Sequence, residues 1–196
     1  MKSFSPLFDQ LQKGLQSLPG VGPRSAQRMA LHLLERQRES AAALADSLSQ
    51  AIAQIGHCQR CHVLTESDIC PICDSPQRNA KRVLVIENPG QLLAFERAGL
   101  HDGQYFVLNG LISPLDGVTP DMARIPQLMD RVAQVDEVIL ALSSSVEGEA
   151  TAQYIRAQLP DSVKLTRLAR GVPMGSDVEQ LDPSTLGLAF GARESF

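Results

Sequence analysis

All four cysteines of this 196-residue chain, Cys58, Cys61, Cys70 and Cys73, fall in two Cys-x-x-Cys pairs separated by the eight residues 62–69. Each pair turns two sulfurs toward a common point, and the spacing reads as one tetrahedral zinc site, because Zn²⁺ accepts four thiolates without a competing geometric preference. Two disulfides would need an oxidising compartment, whereas the opening Met1-Lys2-Ser3-Phe4-Ser5-Pro6 lacks the apolar stretch of a secretory leader. A redox pair would need only one Cys-x-x-Cys. Four thiolates leave no open position for water, so the predicted zinc is structural, with His57 and His62 as neighbours rather than ligands.

Three amphipathic helices are expected before the cysteines. Their apolar stripes are Leu7, Leu11, Leu15 and Leu18; Ala26, Met29, Ala30, Leu33 and Leu34; and Leu44, Leu48, Ile52 and Ile55. A unit of this size with so few large side chains is marginal alone, so packing on a second copy is an expectation too. Between the first two stripes lies Leu18-Pro19-Gly20-Val21-Gly22-Pro23. The glycines Gly20 and Gly22 permit a tight turn and Pro23 suits a first helical position, so backbone amides point outward where a phosphate can sit. Arg24 and Arg28, four apart and opposite the apolar stripe, are candidate partners for neighbouring phosphates, with Arg36 and Arg38 beyond and Glu35 and Glu39 partly cancelling them. The bland alternative is a capped turn whose arginines lie in water. Charge supports a local site: residues 1–56 carry six Lys/Arg against four Asp/Glu, or +2, and residues 57–196 carry twelve against eighteen, or −6. The hairpin resembles the helix-hairpin-helix motif of DNA-binding proteins over residues 7–34.

After the cysteines, strands and helices alternate: Val83-Leu84-Val85-Ile86, a helix through Leu92, Leu93 and Phe95 ending at Gly99, Tyr105-Phe106-Val107-Leu108, a long loop over residues 109–120, a helix bearing Met122, Ile125, Leu128, Met129 and Val132, then Val138-Ile139-Leu140-Ala141, a helix over 148–159 and a strand over 163–168. Such alternation predicts a parallel α/β sheet covered on both faces, with functional groups where strands end and helices begin. No run of eighteen apolar residues occurs, so no membrane-spanning helix is expected.

Glu87 ends the first of these strands, and Ser143-Ser144-Ser145-Val146-Glu147-Gly148-Glu149-Ala150 follows the third. This pattern resembles the Toprim domain of topoisomerases and primases over residues 81–168, where the serine positions 143 and 145 are aspartates that join the strand-end glutamate in holding Mg²⁺. Uncharged hydroxyls replace carboxylates poorly as ligands of a hard octahedral cation, so Mg²⁺ binding is expected to be weak or absent. Glu147 and Glu149 also have the alternative of complementing the helix dipole. No tyrosine is placed as a nucleophile: Tyr105 lies in a buried strand and Tyr154 on a helix.

The order of hairpin helices, four-cysteine finger and degenerate Toprim domain resembles the RecR family of bacterial recombination mediators from end to end. Shared segments are Ile112-Ser113-Pro114-Leu115-Asp116-Gly117, Val146-Glu147-Gly148-Glu149-Ala150-Thr151 and Leu168-Ala169-Arg170-Gly171-Val172-Pro173. Departures are Asn88 in place of the usual acid, Asn109 where glycine is frequent, and Ser143-Ser144 where Asn-Pro is usual. The resemblance implies a helix-hairpin-helix domain over 1–56, a four-cysteine zinc finger over 57–79, a Toprim domain over 80–172 and a C-terminal intersubunit segment over 173–196, for which an ordinary terminal helix is the alternative. It also implies a cytoplasmic, non-enzymatic DNA-binding protein, forming a tetrameric ring and acting with RecO and RecF to load RecA onto single strands coated by single-strand binding protein. Carried over, Gly20, Gly22, Arg24 and Arg28 become DNA contacts. Glu87, Ser113, Pro114, Asp116, Glu147 and Glu149 become candidates for partner contact. The rivals are a Mg²⁺-dependent nuclease or topoisomerase-like enzyme and an adaptor that binds only proteins.

Overall fold

In the computed structural model, which describes residues 4–169, 171–173 and 175–193, the chain divides into two compact units, Met1–Ile55 and Gly56–Phe196. Met1, Lys2 and Ser3 of the opening stretch, Arg170 of the third RecR-like segment, and Met174 and residues 194–196 of the C-terminal segment lie outside the described residues.

The first unit holds α1 (Pro6–Gln16), α2 (Pro23–Arg36) and α3 (Arg38–Gln54). Ser5 caps α1 by accepting from the Phe8 amide at 3.4 Å, and Pro6 and Pro23 open α1 and α2 where a missing N–H leaves nothing unpaired. The buried side chains are Phe8, Ala26 and Ala30, and the small alanines let α1 and α2 pack closely. The third stripe departs from expectation: α3 buries none of its residues, and Leu44, Leu48 and Ile52 are 59, 59 and 75 % exposed. Leu18 falls beyond α1 in the turn rather than on the helix.

The second unit begins with a minimal antiparallel pair, β1 (Gly56–His57) and β2 (Leu64–Thr65), and the short α4 (Pro71–Asp74). There follow β3 (Asn79–Ile86), α5 (Pro89–Ala98), β4 (Gly103–Val107), α6 (Ile125–Val132), β5 (Glu137–Ala141), α7 (Val146–Gln158), β6 (Lys164–Arg167), a 3-10 turn at Val178–Gln180 and α8 (Pro183–Gly191). The sheet is parallel, in the order β4-β3-β5-β6. Val83, Val85, Phe106, Val138 and Leu140 face α6 and α7 through Leu128, Val132 and Ile155. Leu84, Ile86, Tyr105 and Val107 form the other face, covered by Leu92 and Phe95 of α5 and by Val63 and Ile72 of the cysteine region. A strand buried on both faces reads as an unbroken apolar run, which is why these strands are legible. β3 nevertheless starts four residues before its run, with polar residues at the open rim of the sheet, and Met122 lies ahead of α6 and is half exposed.

The two ends of the sheet differ in chemistry. At the amino ends, Asp102, Arg82, Glu137 and Lys164 alternate in charge across β4, β3, β5 and β6, with contacts of 2.9, 3.0 and 3.6 Å. Such exposed pairs add little individually. Beneath α5 lies a more enclosed group: the Tyr105 hydroxyl donates to Glu96 at 2.6 Å, and Arg78 pairs with the other Glu96 oxygen. Burial raises the Glu96 carboxyl, but hydrogen bonds from Arg78 and Tyr105 outweigh it and hold the group below its ordinary range. The stabilisation is therefore fully present above the ordinary carboxylate pKa and is lost as pH falls through the depressed folded value. Tyr105→Phe should cost about 1.5–3 kcal/mol at neutral pH, as expected for a hydrogen bond to a charged group. Thermal unfolding measured against pH should show that difference shrinking in acid.

Candidate functional site

The four cysteines come together as two local turns. In the first, the His62 amide donates to the Cys58 carbonyl at 2.9 Å, and His62 takes a φ of +62° to close the knuckle. In the second, Pro71 starts a single helical turn and the Asp74 amide donates to the Cys70 carbonyl at 3.0 Å. All four sulfurs lie within 4.8 Å of one another and all four residues are buried, with the Cys61 and Cys70 sulfurs 3.5 Å apart. Tetrahedral coordination at about 2.3 Å per bond sets sulfurs about 3.8 Å apart, so the quartet fits zinc. The acid–base balance fits as well. Burial raises Cys58, yet the amides of Cys70, Cys61 and Arg60 outweigh it and bring the thiol down to about 7. A hydrogen bond with Cys73, then burial, pushes Cys61 up, and burial takes Cys70 up to about 11. Four thiols packed this closely ionise together only around a cation.

The finger is tied to the sheet. The Val107 amide, on the outer edge of β4, donates to the Cys61 carbonyl at 2.8 Å, and the His62 ring meets Phe106 edge-on with centroids 5.1 Å apart. His62 is thus a packing neighbour of the zinc site. Arg60 adds a bond to the Cys73 carbonyl at 3.1 Å, joining the two knuckles.

In the helical unit, Gly20 adopts a φ of +77°, a conformation that favours glycine, and Gly22 is the N-cap of α2 with no side-chain cap. Arg24 and Arg28 project from the exposed side of α2, opposite the buried Ala26 and Ala30. They border a groove along that helix together with Gln27, Leu31, His32, Glu35 and Arg36. The second unit's candidates gather at the carboxyl ends of the strands. Ile86 pairs with both Val107 and Ala141, so Glu87 leaves β3 level with Leu142, and the amide of Ser143, one residue further on, donates to the Glu87 carboxylate. Ser145 caps α7 by accepting from Gly148 N at 3.1 Å, and its hydroxyl is 3.2 Å from that of Ser143. Glu149 pairs with Arg167 at 3.2 Å. Among the described residues, Glu87, Glu147 and Glu149 do not meet as a metal-ligating cluster. Beside them, Leu142, Ser143, Ser144, Gly148, Arg167 and Ala169 line a crevice of about 210 Å³. In the long loop, Pro114 and Asp116 are exposed, whereas Ser113 is buried and donates to Asp116 at 2.7 Å, shaping the loop from within.

Comparison with known proteins finds the same parts in the same order. Family profiles match residues 8–52 (RecR, helix-hairpin-helix), 55–75 (the four-cysteine zinc finger domain of RecR), 81–169 (Toprim domain) and 171–194 (RecR, C-terminal). The Recombination protein RecR of Halorhodospira halophila is 45 % identical over 199 residues, covering 100 % of this chain and 99 % of that relative. That of Alcanivorax borkumensis is 47 % identical, covering 98 % of each, and that of Saccharophagus degradans is 44 % identical, covering 97 % of this chain and 98 % of the relative. The chain belongs to the RecR family. It therefore carries that family's four-cysteine zinc finger with one structural zinc ion, and RecR membership supports a role in recombinational repair. No described helix is long and apolar enough to cross a membrane.

Residues that sequence reasoning missed include His32, four positions after Arg28 along the same groove, and Thr151, fully buried at the end of the RecR-like segment 146–151. The first had a signal in its i, i+4 spacing; the second had none, because its partner is 39 residues away.

Two outcomes are expected. Native mass spectrometry should find one zinc per chain, and a chelator should remove it together with the amide protection of Val107, since a finger of this size has no fold without its metal. Gly148→Ala should disturb the turn before α7, because a Cβ there would lie 2.1 Å from the Ser143 carbonyl oxygen. A loss of about 1–3 kcal/mol on chemical denaturation, with zinc content unchanged, is the expected result.

Proposed function

We propose that the chain is a DNA-binding recombination mediator that holds and hands over rather than cleaves, acting with RecO and RecF to load RecA onto single strands coated by single-strand binding protein. The observation that carries this reading is the donor set at the strand ends. There the Glu87 carboxylate accepts from a backbone amide and the two positions that would complete a Mg²⁺ site are the hydroxyls of Ser143 and Ser145, which bind each other and a helix cap. A cation that keeps several waters needs anionic oxygens, and this set offers one strand-end carboxylate already engaged. Any Mg²⁺ bound there is weak.

DNA contact is assigned to the other unit. The hairpin of Gly20 and Gly22, the uncapped amides at the start of α2 and the exposed Arg24 and Arg28 suit phosphate oxygens, which reward charge without reading sequence. A single such site is modest. Repeated around a tetrameric ring it gains through multivalency, and the uncovered apolar side of α3 together with Leu186, Leu188 and the 71 % exposed Phe190 of α8 supplies surface for subunit contacts. Domain limits of 1–56, 57–79, 80–172 and 173–196 and a cytoplasmic location belong to the same reading. The acidic strand-end edge with Glu87, Glu147 and Glu149, and the loop whose exposed Pro114 and Asp116 are shaped by the buried Ser113, are assigned to RecO, since such an edge draws a basic partner and repels DNA.

The test is a double reversal, Arg24→Glu with Arg28→Glu, titrated against single-stranded DNA over a range of salt. Affinity should fall at least about tenfold and the salt slope should flatten by about 0.7 per lost contact, with zinc content intact. Unchanged affinity removes the DNA site. Mg²⁺-dependent cleavage of gapped or supercoiled DNA that disappears in Glu87→Gln would favour the enzyme instead.

A further inference from the structure

The loop between β4 and α6 is a miniature hairpin with its own skeleton. Ser113 and Val118 exchange backbone bonds at 3.1 and 2.8 Å, the Asp116 amide donates to the Ser113 hydroxyl at 3.3 Å, and Gly117 turns the chain at a φ of +71°. Its tip displays Leu115, which is 96 % exposed. Such a unit is stiff, so where it points depends on how its base is fixed. Leu111, Ile112 and Val118 pack on the core, a contact that resists removal but tolerates rotation. The far end of the loop is held by Asn109, which donates to the Met122 carbonyl at 3.1 Å.

The directional tether of the base is Thr151. Its hydroxyl, with the residue fully buried, donates to the Glu147 carbonyl one helical turn back at 2.7 Å, and it accepts from the Ile112 amide at 2.8 Å. A hydroxyl has one proton. Committing it to the helix carbonyl fixes the rotamer and aims a lone pair at the incoming amide, so α7 dictates the position of the loop base. The carbonyl used is that of Glu147, in the acidic first turn of α7.

We infer that Thr151 is a positioning residue that locks the β4–α6 hairpin to the first turn of α7, so that Leu115, Asp116 and Glu147 are presented to a protein partner as one pre-set surface. This rests on the partner reading given above and adds to it the group that holds the two segments in register. Serine at this position retains both bonds; valine keeps the shape and loses both.

The experiment compares Thr151→Val, Thr151→Ser, Leu115→Ala and Glu147→Gln in the full-length zinc-loaded protein, using amide hydrogen exchange and affinity for purified RecO. Thr151→Val should deprotect Ile112 and weaken RecO binding about tenfold, the scale of one lost buried hydrogen bond, while Thr151→Ser stays within about twofold of the parent on both measures. Unchanged protection of Ile112 in Thr151→Val overturns the inference. So does unchanged RecO affinity in Thr151→Val when Leu115→Ala and Glu147→Gln both weaken it. If neither of those two surface variants alters RecO affinity, the partner reading itself falls, and the positioning role falls with it. An equal loss in Thr151→Ser and Thr151→Val would assign the effect to packing of the methyl group and also overturn the proposal.

Discussion

The register of β3 against β5 is the constraint on which the second unit depends. Because both strands are buried on two faces, a slip by one residue would turn Leu84 and Ile86 into the positions of Val83 and Val85 and mismatch both cores at once. With Ile86 held opposite Ala141, Glu87 leaves its strand level with Leu142, and its carboxylate meets the backbone amide of Ser143 one residue further on. The chemistry at this edge is thus decided by burial further down the strands. The charges at the opposite rim, Asp102 through Lys164, stand at the far end of the sheet from that edge.

Much of this was legible in the sequence because the physics is local. Cys58 to Cys73 announce themselves by spacing, since a knuckle is built from four consecutive residues and a metal needs two. Gly20, Gly22 and Pro23 predict a turn and a helix start for conformational reasons that involve no distant partner. The apolar runs at 83–86 and 138–141 predict buried strands, and the Gly148 requirement lies in a segment singled out for its glutamates, although only the close Ser143 carbonyl explains the glycine.

What escaped was decided by partners far along the chain. Nothing near Thr151 shows that its hydroxyl accepts from Ile112, and nothing near Tyr105 shows that Glu96 and Arg78 await it. The stripe of α3 has the period of a packed helix, but period alone does not say what covers it, and among the described residues nothing buries it. The short α8 stood in the sequence only as the alternative of an ordinary terminal helix, for another reason. Its apolar residues show no period, yet Asp182 before Pro183 accepts from the Ser184 and Thr185 amides, a capping signal that could have been read.

The bond from Val107 to Cys61 has a consequence beyond fastening a finger in place. β4 is a terminal strand of its sheet, and an outward-facing amide there is an invitation to any extended segment of another molecule. The knuckle occupies that seat. Metal loss would therefore do more than unravel some twenty residues: it would bare a sticky border on an otherwise well-formed domain, so that the demetallated chain is a candidate for self-association while much of its secondary structure persists.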